Sequence, residues 1–504
     1  MKRRTLLGGT AALTALPLTG TPAAASGNRV PAAVRELDEK IQQAMADFFV
    51  PGVAYGLRYR GVDYVRGFGV TSLDDPQPVD GDTVFRVAST SKPFTGTAIM
   101  RLVERGRIDL DRTVRSYLPD FRTADAAASA RVTVRQILNH SAGFLGDFFL
   151  DTGQDDDALA RYVAEMSRLP QLFPRGKAYS YNNAALSLAG RLIEVVTGTT
   201  YERAVHNLIT GPLGQRHSAF SLDELPGVRW AVPHLPNAAQ TEIVPVPEAW
   251  AMPRAINPAG GLISSARDQL RWARYHLGDG RPLLRPRSLR AMQSNPGPGG
   301  TLYVELDGFG VTWMLRPTAE GPKVVQHGGD WAGQHSGFLM VPEKDFALTV
   351  LTNSETGPVL LDDLVAGDWA LSRFAGVHNL PAVPRSLSDV QLAPYRGFYS
   401  GFQIGFDGET VGAEFEIVPD AGQLSFRYLG TEVLRLAFYR KDYVLVLAPD
   451  GTVSNNRFDF VRDRDGSVGW IRYGGRLYRR NDAPTMPAAT LRTLNPALPR
   501  PILS

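Results

Sequence analysis

Two segments with the alternation of β-strands stand at opposite ends of a long, mainly helical stretch. The first, residues 53–70, reads as a hairpin with its turn near Gly61, and the second runs from 309 to 352. Helical patterns fill the residues between them, and an amphipathic helix at 34–49 precedes the hairpin. Strands at both ends with helices between them predict an α+β fold in which the two ends share one antiparallel sheet.

The residue pattern changes again after this first region. Residues 376–388 read as a linker, and residues 389–481 form short alternating strands separated by glycine-containing turns. We therefore predict a main domain over residues 30–375 and a separate small β-barrel over 389–481, with a sandwich as the alternative. A proline-rich tail, 482–504, completes the chain.

The first 25 residues have the composition of an export signal peptide. Lys2, Arg3 and Arg4 form a basic start, residues 6–18 are apolar, and alanines at 23–25 supply a small-residue cleavage site. The paired arginines favour a twin-arginine signal over an ordinary secretory one. We expect a secreted or periplasmic protein without a transmembrane anchor, because no later apolar run is long enough to span a bilayer.

Composition excludes several classes of function. The chain has 504 residues, a formal charge of +3 and no long run of lysine or arginine, so nucleic-acid binding is not indicated. The absence of cysteine excludes disulfides and thiolate metal ligands. The eight histidines show no metal-ligand spacing, and His140, His276 and His335 are expected to be structural. We expect neither a metal nor a cofactor.

A Ser-x-x-Lys sequence, from Ser89 to Lys92, lies just before a strongly helical run. Residues three apart on a helix face the same side, so the serine hydroxyl and the lysine amine would lie within reach of each other. Serine becomes a strong nucleophile when a base takes its proton, and lysine can be that base when burial or positive neighbours lower its pKa. The alternative is a helix-capping serine beside a surface lysine.

Tyr181 and Asn183 stand next to a second helix, which is predicted to begin at Ala184. A tyrosine near a lysine ammonium loses its proton more easily, so Tyr181 could move protons between the serine and a leaving group. The amide of Asn183 could hold an amide substrate, and it could also cap the helix. The structural alternative for Tyr181 is a half-buried ring with a bonded hydroxyl.

The residues His327, Gly328, Gly329 and Asp330 follow one another where a predicted strand ends. Two glycines let a substrate approach the backbone closely, and an N–H group there could complete an oxyanion hole with that of Ser89. His327 could donate a hydrogen bond near the proton relay. The alternative is a glycine turn beside a histidine with its hydrogen bonds satisfied.

Together these segments resemble the serine β-lactamase and penicillin-binding protein family, in particular its class C branch. That branch includes class C β-lactamases, D-Ala-D-Ala carboxypeptidases, D-aminopeptidases and β-lactamase-like esterases. The region from 392 onward resembles, more loosely, a lipocalin-like domain that some members append. The main likeness rests on six segments in the family order: Phe-Arg-Val-Ala-Ser-Thr-Ser-Lys (85–92), Ile-Leu-Asn-His-Ser-Ala-Gly (137–143), Tyr-Asn-Asn (181–183), Gly-Pro-Leu-Gly (211–214), Asn-Pro-Ala-Gly-Gly (257–261) and His-Gly-Gly (327–329).

The resemblance implies an antiparallel sheet flanked by helices, with a helical subdomain, and a role for each motif residue. Ser89 would be the acylated nucleophile, Lys92 its base partner and Tyr181 the proton shuttle. Asn183 would hold the substrate amide. His327 would take the place of the lysine in the family's Lys-Thr-Gly motif.

The third motif departs from the family pattern. Members that bind a substrate carboxylate carry hydroxyl groups there, whereas this chain has Gly328 and Asp330. The resemblance implies that Gly328, Gly329 and Asp330 line the substrate site, with the N–H groups of Ser89 and Asp330 as the oxyanion hole. Because an Asp330 carboxylate would repel a substrate carboxylate, we predict a preference for substrates without one beside the scissile bond.

The sequence therefore predicts an exported serine hydrolase that forms an acyl-enzyme on amides or esters. D-Amino-acid peptides are the favoured substrates, as for a D-aminopeptidase or a D-Ala-D-Ala carboxypeptidase, with peptidoglycan-derived fragments among them. The alternatives are a β-lactamase, an esterase or an acyltransferase. An alternative of another class is a non-catalytic protein that binds penicillin or peptidoglycan fragments.

Overall fold

A computed structural model describes residues 30–294, 296–448 and 451–486. The predicted export signal and most of the proline-rich tail lie outside the described residues, and both stay predictions. Within these ranges, no helix is both long and apolar enough to cross a lipid bilayer.

The helices of the described residues carry their apolar side chains on one face. In α1, for example, Val34, Leu37 and Ile41 are buried at the three- and four-residue spacing of an amphipathic helix. The α-helices are α1 (Ala32–Asp47), α2 (Lys92–Glu104), α3 (Ala126–Ser129), α4 (Val134–Leu138), α5 (Ala158–Glu165), α6 (Asn183–Thr197), α7 (Tyr201–Val205), α8 (Asn257–Gly260), α9 (Ala266–Leu277), α10 (Pro286–Met292), α11 (Pro358–Leu361) and α12 (Asp389–Leu392).

A seven-stranded antiparallel sheet in the order β2-β1-β13-β12-β11-β10-β9 forms the centre of the main domain. Six shorter strands form three two-stranded pairs around it. The strands of this domain are β1 (Gly52–Tyr59), β2 (Val62–Gly69), β3 (Val84–Arg86), β4 (His234–Pro236), β5 (Ile243–Pro245), β6 (Ile263–Ser265), β7 (Gly300–Leu302), β8 (Val304–Leu306), β9 (Gly308–Phe309), β10 (Met314–Arg316), β11 (Val324–Trp331), β12 (Gln334–Val341) and β13 (Phe346–Thr352).

The first and last strands of the domain are neighbours in this sheet. β1 pairs with β13 over six residues, from Val53 opposite Thr352 to Arg58 opposite Ala347. The predicted α+β fold, with both ends of the domain in one antiparallel sheet, is therefore confirmed.

Helices cover both faces of the sheet. Val53, Tyr55 and Leu57 point to the face covered by α1 and the helical segment 358–375. Ala54 points the other way, into the larger core formed with α2, α6 and α9. Successive residues of a strand face opposite sides, so this one strand contributes to both cores.

The glycine motif beside His327 does not end its strand. β11 continues to Trp331, which pairs with Gln334 of β12. The predicted strand end at His327 is therefore wrong, because the two glycines adopt extended backbone and do not turn. Residues 327–331 are therefore a continuous part of β11.

The C-terminal region is a closed eight-stranded antiparallel barrel, which confirms the predicted barrel fold. Each strand pairs with the next along the chain, and the last returns to the first, with Phe398 opposite Asn481. Aromatic side chains fill its interior, including the stacked pair Phe415 and Phe426. The strands are β14 (Gly397–Ile404), β15 (Thr410–Asp420), β16 (Gln423–Tyr428), β17 (Thr431–Arg440), β18 (Tyr443–Leu447), β19 (Val453–Arg462), β20 (Val468–Tyr473) and β21 (Arg476–Asn481).

The barrel is joined to the main domain by main-chain hydrogen bonds at two of its turns. The N–H of Tyr181 donates to the carbonyl of Gly475 over 2.8 Å, and the N–H of Phe149 donates to Ile404 over 2.8 Å. Ile404 is itself buried in the larger core of the main domain. The division at residues 376–388 into separate domains stays a prediction, since these contacts bind the two parts closely.

Candidate active site

Ser89 and Lys92 meet at the start of α2. A short turn of 3₁₀ helix, Ala88–Ser91, leads into this helix and places the two side chains on one side. Lys92 Nζ donates to Ser89 Oγ over 2.8 Å and to the carbonyl of Ala259 over 2.7 Å. Ser89 is partly exposed, whereas Lys92 is fully buried. The serine therefore faces the solvent side of the site, and the amine lies behind it.

Burial sets the charge of Lys92. Loss of solvent lowers its pKa well below the ordinary lysine value, the positive charge of Arg476 lowers it further, and Asp147 opposes both effects in part. Burial thus favours the neutral amine over the ammonium at Lys92. A neutral amine has a lone pair that can accept the Ser89 proton.

The ring of Tyr181 lies among three side chains. His140 stacks on it with ring centroids 4.5 Å apart, and Lys92 Nζ is 4.7 Å from its centroid. The guanidinium carbon of Arg476 lies 4.7 Å from the same centroid. Arg476 comes from β21 of the barrel, so the C-terminal region contributes directly to this site.

Tyr181 is a neutral phenol in the resting site. Burial raises its pKa above the ordinary value, although a hydrogen bond with Ser89 and the charge of Arg476 act in the opposite direction. The sequence argument expected a lysine ammonium to favour a phenolate. That expectation is wrong for the resting state because burial disfavours the charged forms of both Lys92 and Tyr181.

Asn183 is tied to Arg476 through Asp147. Asn183 Nδ2 donates to Asp147 Oδ1 over 2.8 Å, and Arg476 Nε donates to Asp147 Oδ2 over 3.0 Å. The side chain of Asn182, not that of Asn183, caps α6 by accepting from the N–H of Ala185. The capping alternative for Asn183 is therefore wrong, and its amide is held by the Asp147 carboxylate.

β11 passes directly beside the Ser89 turn. A Cβ atom on Gly329 would lie 2.2 Å from the carbonyl oxygen of Val87 and 2.7 Å from the nitrogen of Ser89. Only glycine fits at this position. The N–H groups of Ser89 and Asp330 thus lie on adjoining segments, and their assignment as the oxyanion hole stays a prediction.

His327 is a buried, neutral imidazole. Burial lowers its pKa to about 3, and positive charge at Lys92 would act in the same direction. Nδ1 lies 2.6 Å from the Gly328 carbonyl oxygen, an acceptor, so Nδ1 carries the proton. Nε2 is then an acceptor and has no hydrogen-bond partner in the described protein. His327 therefore offers no positive charge to a substrate carboxylate.

The Asp330 side chain is paired with a histidine. Asp330 Oδ1 lies 2.9 Å from His335 Nδ1, and Glu355 lies 3.8 Å from the other ring nitrogen. Burial alone would lower the pKa of His335, but its hydrogen bond with Asp330 and the nearby Glu355 carboxylate raise the pKa to about 9. At neutral pH the His335 charge offsets that of Asp330, so any repulsion of a substrate carboxylate is weaker than a free aspartate would cause.

The structure brings together Ser89, Lys92, Tyr181 and His327, with Asn183 and the Gly328–Asp330 strand around them. Sequence reasoning missed two residues that hold this arrangement, Asp147 and Arg476. It also treated His140 as structural, although the His140 ring stacks on the ring of Tyr181. Of these, only His140 lies in a recognised motif, and no sequence signal distinguishes Arg476 from the other arginines. Among the described residues, no group of histidine, aspartate or glutamate side chains could hold a metal ion.

Comparison with known proteins agrees with this geometry. The family model for Beta-lactamase matches residues 37–368, which is more than half of the chain. The chain belongs to the Beta-lactamase family. The site therefore belongs to a Beta-lactamase-family serine hydrolase.

Several similar proteins extend the comparison. Penicillin-binding protein 4 of Amycolatopsis lactamdurans is 32% identical over 370 residues, which cover 72% of this chain and 96% of that protein. Esterase EstB of Burkholderia gladioli is 30% identical over 297 residues, covering 52% of this chain and 70% of its own. A crystal structure of SurE with D-Leu is 25% identical with a TM-score of 0.68, and the match covers 89% of this chain and 100% of that one.

Arg476 provides a test of how the barrel affects the Beta-lactamase-family site. Replacing Arg476 with methionine removes a charge that lowers the pKa of Lys92 and leaves Asp147 without that partner. Both changes raise the pKa of Lys92, so the acidic limb of the kcat profile is expected to move to higher pH. At a fixed pH on that acidic limb, kcat should fall by up to about tenfold for each unit of pKa increase, since there one pKa unit changes the free-base fraction tenfold.

Two further variants serve as controls for this prediction. Arg476→Lys keeps the positive charge, so the acidic limb of its kcat profile should lie closer to that of the unaltered protein than to that of Arg476→Met. Arg479→Met removes a half-exposed arginine of the same strand, which pairs with Asp463 away from Lys92, and should leave the profile unchanged. An unaltered pH profile in Arg476→Met would show that the barrel does not set the charge of Lys92.

Proposed function

We propose that this protein is an exported serine hydrolase that forms an acyl-enzyme at Ser89 on esters or amides of D-amino acids. The observation that carries the proposal is the buried Lys92 amine, whose pKa is lowered by burial and which lies 2.8 Å from Ser89 Oγ. Export rests on the signal-like composition of residues 1–25, and the mass of the mature secreted chain would test it.

The arrangement supports a two-step reaction. Ser89 Oγ attacks the substrate carbonyl carbon while its proton moves to the lone pair of Lys92 Nζ. The carbonyl oxygen becomes an oxyanion that the N–H groups of Ser89 and Asp330 would stabilise. As the bond to the leaving group breaks, the Tyr181 phenol gives that group a proton and regains one from the Lys92 ammonium.

Water then completes the cycle. It attacks the Ser89 ester as its proton passes through Tyr181 to Lys92, and the collapse of the second intermediate returns a proton to Ser89 Oγ. Lys92 and Tyr181 finish in their starting protonation states, so atoms and protons balance over one turnover. An amine in place of water would make the same enzyme an acyltransferase.

Two observations support substrates that are neutral beside the scissile bond: His327 is uncharged, and Asp330 stands where a hydroxyl would bind a carboxylate. The similar SurE structure with D-Leu supports a D-residue in the substrate. The esterase relative supports ester hydrolysis as the second candidate activity. The joint presence of Ser89, Lys92 and Tyr181 in bonding arrangement argues against a purely binding protein.

A panel of substrates tests the proposal. We expect the kcat/KM of the purified protein to be at least about tenfold higher for the p-nitrophenyl ester of N-acetyl-D-leucine than for its L-enantiomer. A peptide amidated after D-Ala-D-Ala should be cleaved several-fold faster than the free acid, since the Asp330 charge is only partly offset. Preference for the L-ester would refute the D-residue proposal. Faster hydrolysis of nitrocefin than of every ester or peptide would favour a β-lactamase.

A further inference from the structure

The first hairpin turn of the barrel reaches across to the main domain. This turn, residues 405–409, connects β14 to β15. The N–H of Asp151 donates to the carbonyl of Phe406 over 2.9 Å, next to the bond between Phe149 and Ile404. Two main-chain hydrogen bonds therefore fix the turn against the segment 148–151.

Phe406 at the tip of this turn contacts aromatic rings on both sides. Its ring centroid lies 5.9 Å from that of Trp331 and 6.2 Å from that of Phe149. Phe406 nevertheless remains 51% exposed. We call these three residues the aromatic bridge. Its two ends are anchored, since Trp331 Nε1 also donates to the Ala249 carbonyl over 2.9 Å.

The aromatic bridge extends from β11, which adjoins Ser89, to the segment that follows Asp147. Trp331 comes two residues after Gly329, whose backbone adjoins the nitrogen of Ser89. Phe149 comes two residues after Asp147, which holds Asn183 and Arg476. An exposed, fixed aromatic ring between the walls of a site provides apolar contact area for a bound molecule.

The direction of β11 shows which part of the substrate the bridge meets. His327 lies beside the proton relay, with its ring centroid 6.2 Å from that of Tyr181, and the relay must face the leaving group. Trp331 is four residues further along the strand, about 13 Å away at about 3.3 Å per residue. The bridge therefore lies toward the acyl side of the scissile bond.

We propose that Phe406, together with Phe149 and Trp331, forms the apolar wall that receives the side chain of the acyl group and selects large apolar acyl groups. The proposal rests on Ser89 being the acylated residue, as in the proposed function. It makes a residue of the C-terminal barrel a determinant of substrate specificity.

The test compares two pairs of p-nitrophenyl esters that share one leaving group. One pair is N-acetyl-D-leucine and N-acetyl-D-alanine, and the other is the achiral pair hexanoate and acetate. Phe406→Ala should lower kcat/KM about tenfold for the leucine and hexanoate esters and less than twofold for the alanine and acetate esters, the scale expected for a few methylene groups in an apolar pocket. Phe406→Leu should restore most of the loss.

A matched variant controls for general effects of the substitution. Leu429 is 59% exposed at another turn of the same barrel. Leu429→Ala should change neither the leucine-to-alanine ratio nor the hexanoate-to-acetate ratio of kcat/KM. If Phe406→Ala lowers kcat/KM equally for large and small esters and also lowers the melting temperature, Phe406 only attaches the barrel to the main domain. Unchanged ratios would exclude contact with the acyl group.

The achiral esters separate this proposal from the proposed function. If the L-leucine ester is the better substrate, the D-residue proposal fails, and the hexanoate-to-acetate ratio in Phe406→Ala still decides the role of the bridge. If the D-leucine ester is preferred but neither ratio responds to Phe406, the aromatic bridge proposal alone fails.

Discussion

Treatment with a fluorophosphonate is expected to add one label to the protein, on Ser89, and Ser89→Ala should take up none. Ser89 is partly exposed and its Oγ lies 2.8 Å from the buried Lys92 amine, which makes it the activated hydroxyl of the site. Turnover of the best ester should fall on the order of 10³-fold or more, since no other group can form the acyl-enzyme. Intact mass and peptide mapping measure the labelling.

Ser91 offers a close control for this experiment. Its hydroxyl is buried two positions further on and donates to the carbonyl of Ala88 over 2.6 Å. Ser91 Oγ also accepts from the N–H of Leu262 over 3.0 Å, so Ser91→Ala should lose about 1–3 kcal/mol of stability and should still be labelled on Ser89. A label on another residue, with Ser89→Ala still active, would contradict the assignment.

Lys92 and Tyr181 are expected to act as one proton relay, so their losses should not multiply. Lys92→Met keeps the buried volume without the amine, and Tyr181→Phe keeps the ring that stacks on His140. Each substitution should lower kcat by at least about 10²-fold, the scale of a general base. The double variant should be little slower than the slower single variant, because either change already interrupts the same proton path.

If Lys92 and Tyr181 acted in independent steps, the kcat of the double variant would be clearly lower. Two independent steps would combine two losses of about 10² into about 10⁴, an extra difference of about 2.7 kcal/mol in activation free energy. The kcat of all four proteins on one p-nitrophenyl ester measures this. The ester needs little protonation of its leaving group, so a D-leucine amide should show a larger Tyr181→Phe effect if Tyr181 protonates leaving groups.

The parts of the site that the sequence predicts are those fixed by short-range geometry. Ser89 and Lys92 meet because helical spacing places residues three apart on one side. Tyr181 and His327 could be assigned only through their motifs, because nothing local shows that a turn before α6 and a strand after residue 323 approach α2. The shared antiparallel sheet was predictable because strand patterns occur at both ends of the main domain.

Charge state and long-range pairing were not predictable. The expected Tyr181 phenolate required a lysine ammonium, and the burial of Lys92 depends on many residues distant in sequence. Arg476 reaches Asp147 only because the barrel is joined to the main domain at Gly475 and Ile404. The continuation of β11 past its glycines was missed because glycine is also typical of turns, and its small size here serves close contact with Val87 and Ser89.

The position of Arg476 in the chain also bears on when the site can form. Ser89, Lys92 and Tyr181 are synthesised early, whereas Arg476 belongs to the last strand of the barrel. At about 5–20 residues per second, the interval between the ribosome adding Ser89 and adding Arg476 is on the order of tens of seconds. During that interval the nascent chain has its nucleophile but not the arginine that lowers the Lys92 pKa. A chain that ends before β21 would be left permanently in this incomplete state.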